Sequence, residues 1–289
     1  MKDMFRRYLP ARFRKEGIVV PVVRLQGAIM SGGSQFRPAL NMASVAPVLA
    51  KAFASKKSPA VAIIVNSPGG SPVQSRLIYQ RIRDLAEEHD KKVYVFAEDA
   101  AASGGYMIAL AGDEIYADAT SIVGSIGVVS GGFGFPELLN KIGVERRVYT
   151  AGENKAILDP FKPERESDIA YLKTLQLEIH QVFIDMVKAR RGAKLANDPD
   201  LFSGLFWTGG RARELGLIDG LGHLREVLKR DFGDKTRFEL VSGAKGLFGR
   251  RVPGVTIAAE TGGAAGAAAL DTLAQAAEEK ALWGRLGLS

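Results

Sequence analysis

Short apolar runs rich in β-branched residues alternate with longer amphipathic stretches between residues 18 and 228 of this chain. The apolar runs predict strands at 18–25, 60–65, 93–97, 114–117 and 144–150. The amphipathic stretches predict helices at 40–54, 72–88, 104–111, 135–141 and 164–191. Strands that alternate with helices form a mostly parallel sheet covered by helices, so we expect an α/β fold.

The composition is that of a globular protein with a substantial core. The chain has 289 residues, of which 46% are hydrophobic and 25% are charged, and this length suits one large domain. It contains no cysteine, which excludes disulfides, thiol catalysis and cysteine-ligated metal and fits a reducing compartment. No apolar run approaches the roughly 20 residues that span a bilayer. We therefore expect a cytoplasmic protein rather than a secreted or integral one.

Positive charge is concentrated at the N-terminus. The net charge is +7, and the first fifteen residues carry six basic side chains against a single acidic one. The remainder is nearly neutral and lacks the basic face by which a folded domain binds nucleic acid, so we expect no nucleic-acid partner. Apolar and aromatic side chains interleave with the basic ones in residues 1–15. This segment therefore either makes peripheral contact with the inner face of a membrane or forms a solvated tail.

Composition divides the chain into three parts. Residues 1–16 form the basic amphipathic segment, and residues 17–232 carry the alternating strands and helices. Residues 233–289 form a C-terminal extension, in which a Gly/Ala-rich linker over 243–269 precedes a predicted short helix at 270–283. We expect the functional site in the middle part, because the parallel-sheet pattern is confined to it.

Two glycines follow the second predicted strand. Gly69 and Gly70 lie at its carboxyl end, which is where open α/β sheets bind ligands. Ser71, Pro72 and Gln74 then predict a helix start with a capping box. The glycines either let a backbone N–H approach a ligand closely or only satisfy a tight turn.

Ser103 occupies a similar turn, between the predicted strand 93–97 and the predicted helix 104–111. A serine at such a turn projects its hydroxyl from the end of the sheet toward the positive end of the helix, where a nucleophile is useful. The same Ser-Gly-Gly triplet also occurs in ordinary turns.

A nucleophilic serine needs a base. The histidines are His89, His180 and His223, and each is better explained as a surface or capping residue than as a member of a triad. Lysine is the other base that serine enzymes use, and Lys155 follows the predicted strand 144–150. A free lysine has a pKa of about 10.4, so a lysine base needs burial to be neutral near pH 7, and a solvated surface lysine is the alternative.

A series of motifs occurs in order between residues 17 and 230. They are 66–70 (NSPGG), 102–106 (ASGGY), 120–128 (TSIVGSIGV), 206–212 (FWTGGRA) and the adjoining 214–219 (ELGLID). Their order and spacing resemble the short, single-repeat members of the signal peptide peptidase A family, peptidase family S49. The resemblance implies a ClpP/crotonase-type fold and a serine protease with a Ser-Lys dyad.

The resemblance also implies a role for each candidate residue. Ser103 would be the nucleophile and Lys155, 52 residues further on, the general base. Ser125 would hold the lysine amine by a hydrogen bond. Gly70 would offer one backbone N–H to the oxyanion, and the second would come from Ser103 or Gly104. Two fixed donors in a dry site fit the chemistry of acyl transfer.

Cofactors and partners follow from the same resemblance. We expect no metal, nucleotide or organic cofactor, and no phosphate-binding P-loop motif occurs in the chain. Substrates would be signal-peptide remnants or unfolded peptides, and the protein would form a homo-oligomer. Most family members carry an N-terminal membrane anchor, whereas this chain starts with the basic amphipathic segment, so soluble or peripherally bound peptides are plausible substrates.

Three alternatives to this interpretation stay open. A crotonase-type acyl-CoA enzyme would share the fold and the oxyanion hole but would need an acid/base carboxylate instead of a Ser-Lys pair. A non-catalytic scaffold would bind peptides or membranes through the same groove. A phage capsid-maturation protease would use the same dyad.

Overall fold

The computed structural model describes residues 17–32, 39–242 and 276–288. The strands are β1 (Val19–Gln26), β2 (Ala60–Ser67), β3 (Lys92–Ala102), β4 (Glu114–Ala117), β5 (Ile122–Gly124), β6 (Phe206–Thr208), β7 (Gly220–Leu221) and β8 (Arg237–Leu240). The helices are α1 (Met42–Phe53), α2 (Pro72–Glu88), α3 (Gly104–Ala109), α4 (Pro136–Ile142), α5 (Glu166–Arg191), α6 (Gly209–Glu214) and α7 (Leu224–Phe232). A 3-10 turn at Gly192–Lys194 follows α5, and residues 276–284 are helical.

The strands form one eight-stranded sheet in the order β6-β5-β3-β2-β1-β8, with β4 between β3 and β7. Each pairing is parallel except that of β5 with β6. The predicted mostly parallel α/β fold is confirmed. The sheet continues past residue 232, because β8 pairs with β1.

Strand β3 has one neighbouring strand along one side and two successive neighbours along the other. It is 11 residues long and pairs with β2 along one side. Along its other side it pairs first with β4, over Tyr94 to Ala97, and then with β5, over Ala100 to Ala102. The sheet therefore forks at Glu98 and Asp99, and β3 ends immediately before Ser103.

Side chains alternate between two packed faces of the sheet, as strand geometry requires. On one face, Val61, Ile63, Val93 and Val95 pack in the cluster that holds buried side chains of α1, α2, α3 and α5. On the other face, Ala62, Tyr94 and Phe96 pack with Val227 and Leu228 of α7. Because helices cover both faces of the sheet, a ligand site is expected at the carboxyl ends of the strands.

A buried ion pair ties α5 to the sheet. Arg191 ends α5, and its guanidinium donates to the Asp219 carboxylate at 2.8 Å and to the Gly216 carbonyl at 2.8 Å. Asp219 also accepts from Lys194 Nζ at 2.6 Å and from the Ile115 N–H at 2.8 Å. Burial alone would raise the pKa of Asp219, but these hydrogen bonds outweigh it and hold the pKa below its ordinary value.

Helix α2 has the predicted bounds, but only half of the predicted capping box at its N-terminus is formed. The Ser71 side chain accepts from the Gln74 N–H, as predicted. The Gln74 side chain instead accepts from the Met42 N–H at 2.9 Å, so it joins α2 to α1 and the reciprocal half of the capping box is missing. The full capping box is at α1, between Asn41 and Ser44.

The predicted strand at 144–150 is wrong. These residues form no strand and lie within residues 129–165, here called the arm, in which no residue is buried. The arm carries α4, which has no buried side chain. Large apolar side chains of the arm face solvent, namely Val129, Phe133, Leu138, Ile142, Val144 and Tyr149. β-Branched residues favour a strand only where a neighbouring strand exists to pair with.

Two sequence predictions fall on parts of the chain that the structure does not describe. The basic amphipathic segment, 1–16, lies outside the described residues, as does the whole of the Gly/Ala-rich linker, 243–269. Among the described residues, no helix combines the length and apolar character needed to cross a bilayer.

Candidate active site

Ser103 connects the end of β3 to the start of α3. Its backbone has φ 52° and ψ −121°, a conformation that costs a residue with a side chain of order 1–3 kcal/mol and is typical of functional sites. The Ser103 N–H donates to the Gly124 carbonyl at 2.8 Å, and every residue of α3 is buried. The turn is thus fixed on both sides, and among the described residues the Ser103 hydroxyl has no hydrogen-bond partner.

The Gly69-Gly70 turn approaches the Ser103 turn so closely that side chains are excluded. A Cβ on Gly69 would lie 2.8 Å from the Ser103 Cβ and 2.9 Å from the Gly104 nitrogen. A Cβ on Gly70 would lie 2.0 Å from the Ile29 carbonyl oxygen, and Gly70 has φ +136°. The close approach of the two backbones, and not only a tight turn, therefore requires glycine here.

Two backbone N–H groups face this contact without an acceptor. Ile29 pairs with the turn through its own N–H to Gly69 and its carbonyl to Ser71, at 2.8 and 2.7 Å. The N–H groups of Gly70 and Gly104 donate to no group in the described part of the chain. Because the Ser103 N–H is already bonded, Gly104 is the free donor at the serine turn.

Ser125 lies in the neighbouring turn, just after β5. Its φ is 54°, and it is 8% exposed. Its N–H donates to the Leu205 carbonyl at 2.8 Å, and its carbonyl accepts from the Gly127 N–H at 3.0 Å. Ser103 and Ser125 therefore both have left-handed backbones, on adjacent strand ends.

These groups line one cleft of about 480 Å³. Its polar wall contains Gly70, Ser71, Ser103, Gly104 and Ser125, and its apolar wall contains Ile29, Met30, Met107, Val128, Ile179 and Phe183. An apolar cleft with a few convergent polar groups is the usual form of a ligand site.

The C-terminal segment, residues 276–288, closes one side of the cleft. Glu278, Leu282, Arg285 and Leu286 line it. Leu286 is buried against Ala100 and Ala102 of β3, on the sheet face opposite that of Ala101. The described end of the C-terminal extension therefore contributes directly to the site.

Lys155 does not lie with these residues. It is exposed, in a turn at 151–158 of the arm, and it does not line the cleft. This turn is tied to the start of α5, because the Leu158 N–H donates to the Asp168 carboxylate at 3.2 Å. Arg165 also donates to Asp168, and its hydrogen bond holds the pKa of that carboxyl below its ordinary value.

One histidine contacts the site in a way that the sequence did not indicate. His180 is half-buried on α5, and its Nε2 lies 3.0 Å from the carbonyl oxygen of Ile126, next to Ser125. His89 is the C-cap of α2, and His223 is the N-cap of α7, as a capping interpretation predicts. No local pattern signals the contact of His180, since its partner is 54 residues away.

Comparison with known proteins decides the family. The profile of peptidase family S49 matches residues 86–233, which include Ser103, Ser125 and Lys155. The chain belongs to peptidase family S49.

Relatives of this S49 chain have several names. It is 32% identical to a putative protease of Methanocaldococcus jannaschii, over 65% of the chain and 62% of that protein. It is 35% identical to the chloroplastic serine protease SPPA of Arabidopsis thaliana, over 60% of the chain and 26% of that protein. It is also 63% identical, over its whole length, to 39% of a Brucella abortus protein named Na(+)/H(+) antiporter NhaA. The chain thus spans less than two thirds of each of these relatives.

Proposed function

We propose that this S49 chain is a serine endopeptidase that hydrolyses peptide bonds through an acyl-enzyme. The observation that carries the proposal is the contact between the Gly69-Gly70 turn and the Ser103 turn. It brings a serine hydroxyl and the unoccupied N–H groups of Gly70 and Gly104 to one wall of a cleft. A nucleophile beside two fixed donors is the arrangement that acyl transfer requires.

The two N–H groups are the proposed oxyanion hole. They are fixed before substrate binds, because the Ile29 hydrogen bonds and the short helix α3 hold their turns. Each such donor typically contributes about 3 kcal/mol to stabilising a tetrahedral intermediate. This pair alone would therefore supply a large share of the rate enhancement.

Lys155 is the proposed general base, with Ser125 holding its amine. The turn of Lys155 is bonded to α5 at Asp168, whereas the turn of Ser125 is bonded to the same helix at His180. Twelve residues of helix separate these contacts by about 18 Å. This separation and the exposed apolar side chains of the arm support a homo-oligomer in which the arm of a second copy brings its Lys155 to Ser103.

The proposed reaction has two stages. Neutral Lys155 accepts the Ser103 proton as the Ser103 Oγ attacks the peptide carbonyl carbon, and the oxyanion accepts hydrogen bonds from Gly70 and Gly104. The lysine ammonium then donates its proton to the leaving amine as the C–N bond breaks, which leaves an ester on Ser103. Water, deprotonated by Lys155, hydrolyses this ester and restores the hydroxyl.

Unfolded peptides and signal-peptide remnants are the proposed substrates. The mostly apolar cleft favours apolar side chains, and an extended backbone is needed to present a carbonyl to the recessed N–H groups. Peripheral membrane contact through residues 1–15 would bring the protein to such remnants, and this contact is part of the proposal.

Labelling with a fluorophosphonate, together with cleavage of unfolded casein, tests the proposal. Wild type and the control Ser203→Ala, which changes an exposed serine, should be labelled and should cleave casein. Ser103→Ala should do neither, and Lys155→Ala should lose most of both.

Other outcomes would favour the alternatives. Equal labelling of wild type and Lys155→Ala would exclude the dyad and favour a crotonase-type enzyme. Tight casein binding without cleavage at any pH would favour a non-catalytic scaffold.

A further inference from the structure

His180 contacts the turn that carries Ser125. It lies in α5, and its Nε2 is 3.0 Å from the Ile126 carbonyl oxygen. A carbonyl only accepts hydrogen bonds, so Nε2 must carry the proton and donate. The Nε2 atom is therefore directed at the backbone of the Ser125 turn and is not available to act as a base for Ser103.

This contact is one of three that fix the turn from outside. The Ser103 N–H donates to the carbonyl of Gly124, and the Ser125 N–H donates to the carbonyl of Leu205, both at 2.8 Å. The imidazole of His180 supplies the third hydrogen bond, to Ile126, whose side chain is fully buried. The three bonds come from the Ser103 turn after β3, from Leu205 just before β6, and from α5.

The turn needs such support because its backbone is not one that serine prefers. Ser125 has φ 54°, and a residue with a side chain stays in that conformation only where its surroundings determine it. Without the imidazole, the Ile126 carbonyl would have no donor among the described residues, and rotation of the peptide toward water would relieve this. The same peptide unit carries the Gly127 N–H, which donates to the Ser125 carbonyl at 3.0 Å, so its rotation would break that bond and release the turn that holds the Ser125 hydroxyl.

The same helix also forms part of the cleft wall. Ile179 and Phe183, on either side of His180 in sequence, line the cleft. The hydrogen bond therefore fixes the distance between this apolar wall and the polar wall of Ser125. Phe183 is also held in the main core cluster, independently of His180, so loss of the hydrogen bond would move the Ser125 turn more than this apolar wall.

We propose that His180 is a positioning residue for catalysis, which acts by holding the Ile126 carbonyl and thereby the Ser125 hydroxyl. The inference rests on the proposed function, because it assigns Ser125 its role in orienting the base. It predicts an effect on the chemical step and on acylation of Ser103 rather than on folding.

Two substitutions separate the effect of the hydrogen bond from the effect of side-chain size. His180→Gln retains an N–H donor that can reach the carbonyl, whereas His180→Leu fills space without donating. We expect His180→Leu to lower kcat and the fluorophosphonate labelling rate of Ser103 about tenfold, with KM changed less than threefold. His180→Gln should stay within about threefold of wild type. Gln181→Leu is the matched control, because Gln181 is exposed on the same helix and its side chain donates to Asp185, one turn further along that helix.

Equal kcat for His180→Leu and wild type, or an equal loss in the Gln and Leu variants, would overturn the inference. Absence of Ser103-dependent cleavage in wild type would instead overturn the proposed function. If the His180 variants misfold, a measurement on the wild-type protein still tests the inference. Long-range ¹H–¹⁵N spectra of wild-type histidines, with His180 assigned by difference from His180→Gln, should show a protonated Nε2. A neutral ring protonated only at Nδ1 would contradict the hydrogen bond.

Discussion

The backbone N–H of Ser103 donates a 2.8 Å hydrogen bond to the carbonyl of Gly124. This bond continues the pairing of β3 with β5 by one step beyond Ala102. It joins the turn of the proposed nucleophile to the turn of Ser125, and it also leaves Gly104, rather than Ser103, as the free donor at the serine turn.

Replacing Gly70 by alanine should remove activity by displacing an oxyanion donor. The new Cβ would lie 2.0 Å from the Ile29 carbonyl oxygen at φ +136°, so the turn must shift away from Ser103. We expect kcat to fall by about 10²–10³, measured with an unfolded substrate. Gly210→Ala is the control, because its Cβ would meet no atom closer than 3.9 Å and should leave kcat near wild type. An active Gly70→Ala enzyme would exclude this oxyanion hole.

Mixing two inactive variants should restore activity if a second copy supplies the lysine. Ser103→Ala keeps Lys155, and Lys155→Ala keeps Ser103, so a mixed assembly contains sites with both groups. With random mixing of equal amounts at a head-to-tail interface, about a quarter of the sites would be complete. Co-expression followed by a casein assay measures this. No recovery from verified mixed oligomers would show that each chain must use its own Lys155.

Detaching the C-terminal segment should widen the cleft. Leu286 is 9% exposed and packs on Ala100 and Ala102, so Leu286→Asp would place a charge in an apolar contact and release the wall. We expect kcat/KM for peptides with aromatic side chains to rise about tenfold relative to alanine peptides, a difference of about 1.4 kcal/mol. Leu240→Asp is the control, since Leu240 is 64% exposed. An equal rise for all peptides would instead indicate that the segment blocks the cleft.

Replacing Asp219 by asparagine should destabilise the protein at neutral pH and much less in acid. The change leaves the buried Arg191 guanidinium without its counter-charge, which typically costs about 3–5 kcal/mol. The folded pKa of Asp219 is lowered, so its stabilisation is present above the unfolded value of about 3.9 and is lost as pH falls through the folded value. The difference in Tm between wild type and Asp219→Asn should therefore shrink below pH ~4.

The control for this prediction is Glu214→Gln. Glu214 pairs with Arg211 at 2.9 Å, but both side chains are at least half exposed. A surface pair of this kind contributes about 0–1 kcal/mol. A Tm difference for Asp219→Asn that does not change with pH would contradict the assignment of the effect to the carboxylate charge.

Local sequence patterns predict those helices and strands whose formation depends mainly on their own residues. The bounds of α2 were predicted from Ser71 and Pro72, and the predicted strands 18–25, 60–65, 93–97 and 114–117 all occur. The turns of Gly70 and Ser103 follow from strand-to-helix transitions, and parallel strands bring their carboxyl ends to one edge. Gly70, Gly104, Ser103 and Ser125 accordingly line one cleft.

Features that depend on contacts between distant parts of the chain could not be predicted from the sequence. The stretch 144–150 has strand-forming residues, but Tyr149 is 91% exposed and no strand lies beside it in the described structure. Strands β5, β6 and β7 are two or three residues long, too short for a periodic signal. The contact of His180 with Ile126 and the packing of Leu286 beside the cleft likewise depend on how separate parts of the chain meet.

The fork of the sheet at Glu98 and Asp99 has a consequence for how this sequence can change. Ala97 is the last partner of β4 and Ala100 the first partner of β5, so the two residues between them set the register of everything up to Ser103. Successive side chains of a strand point to opposite faces. Gain or loss of a single residue in this link would turn the serine hydroxyl away from the glycine amides, although both halves of the sheet could still form. The length of the link is therefore constrained more tightly than its chemistry.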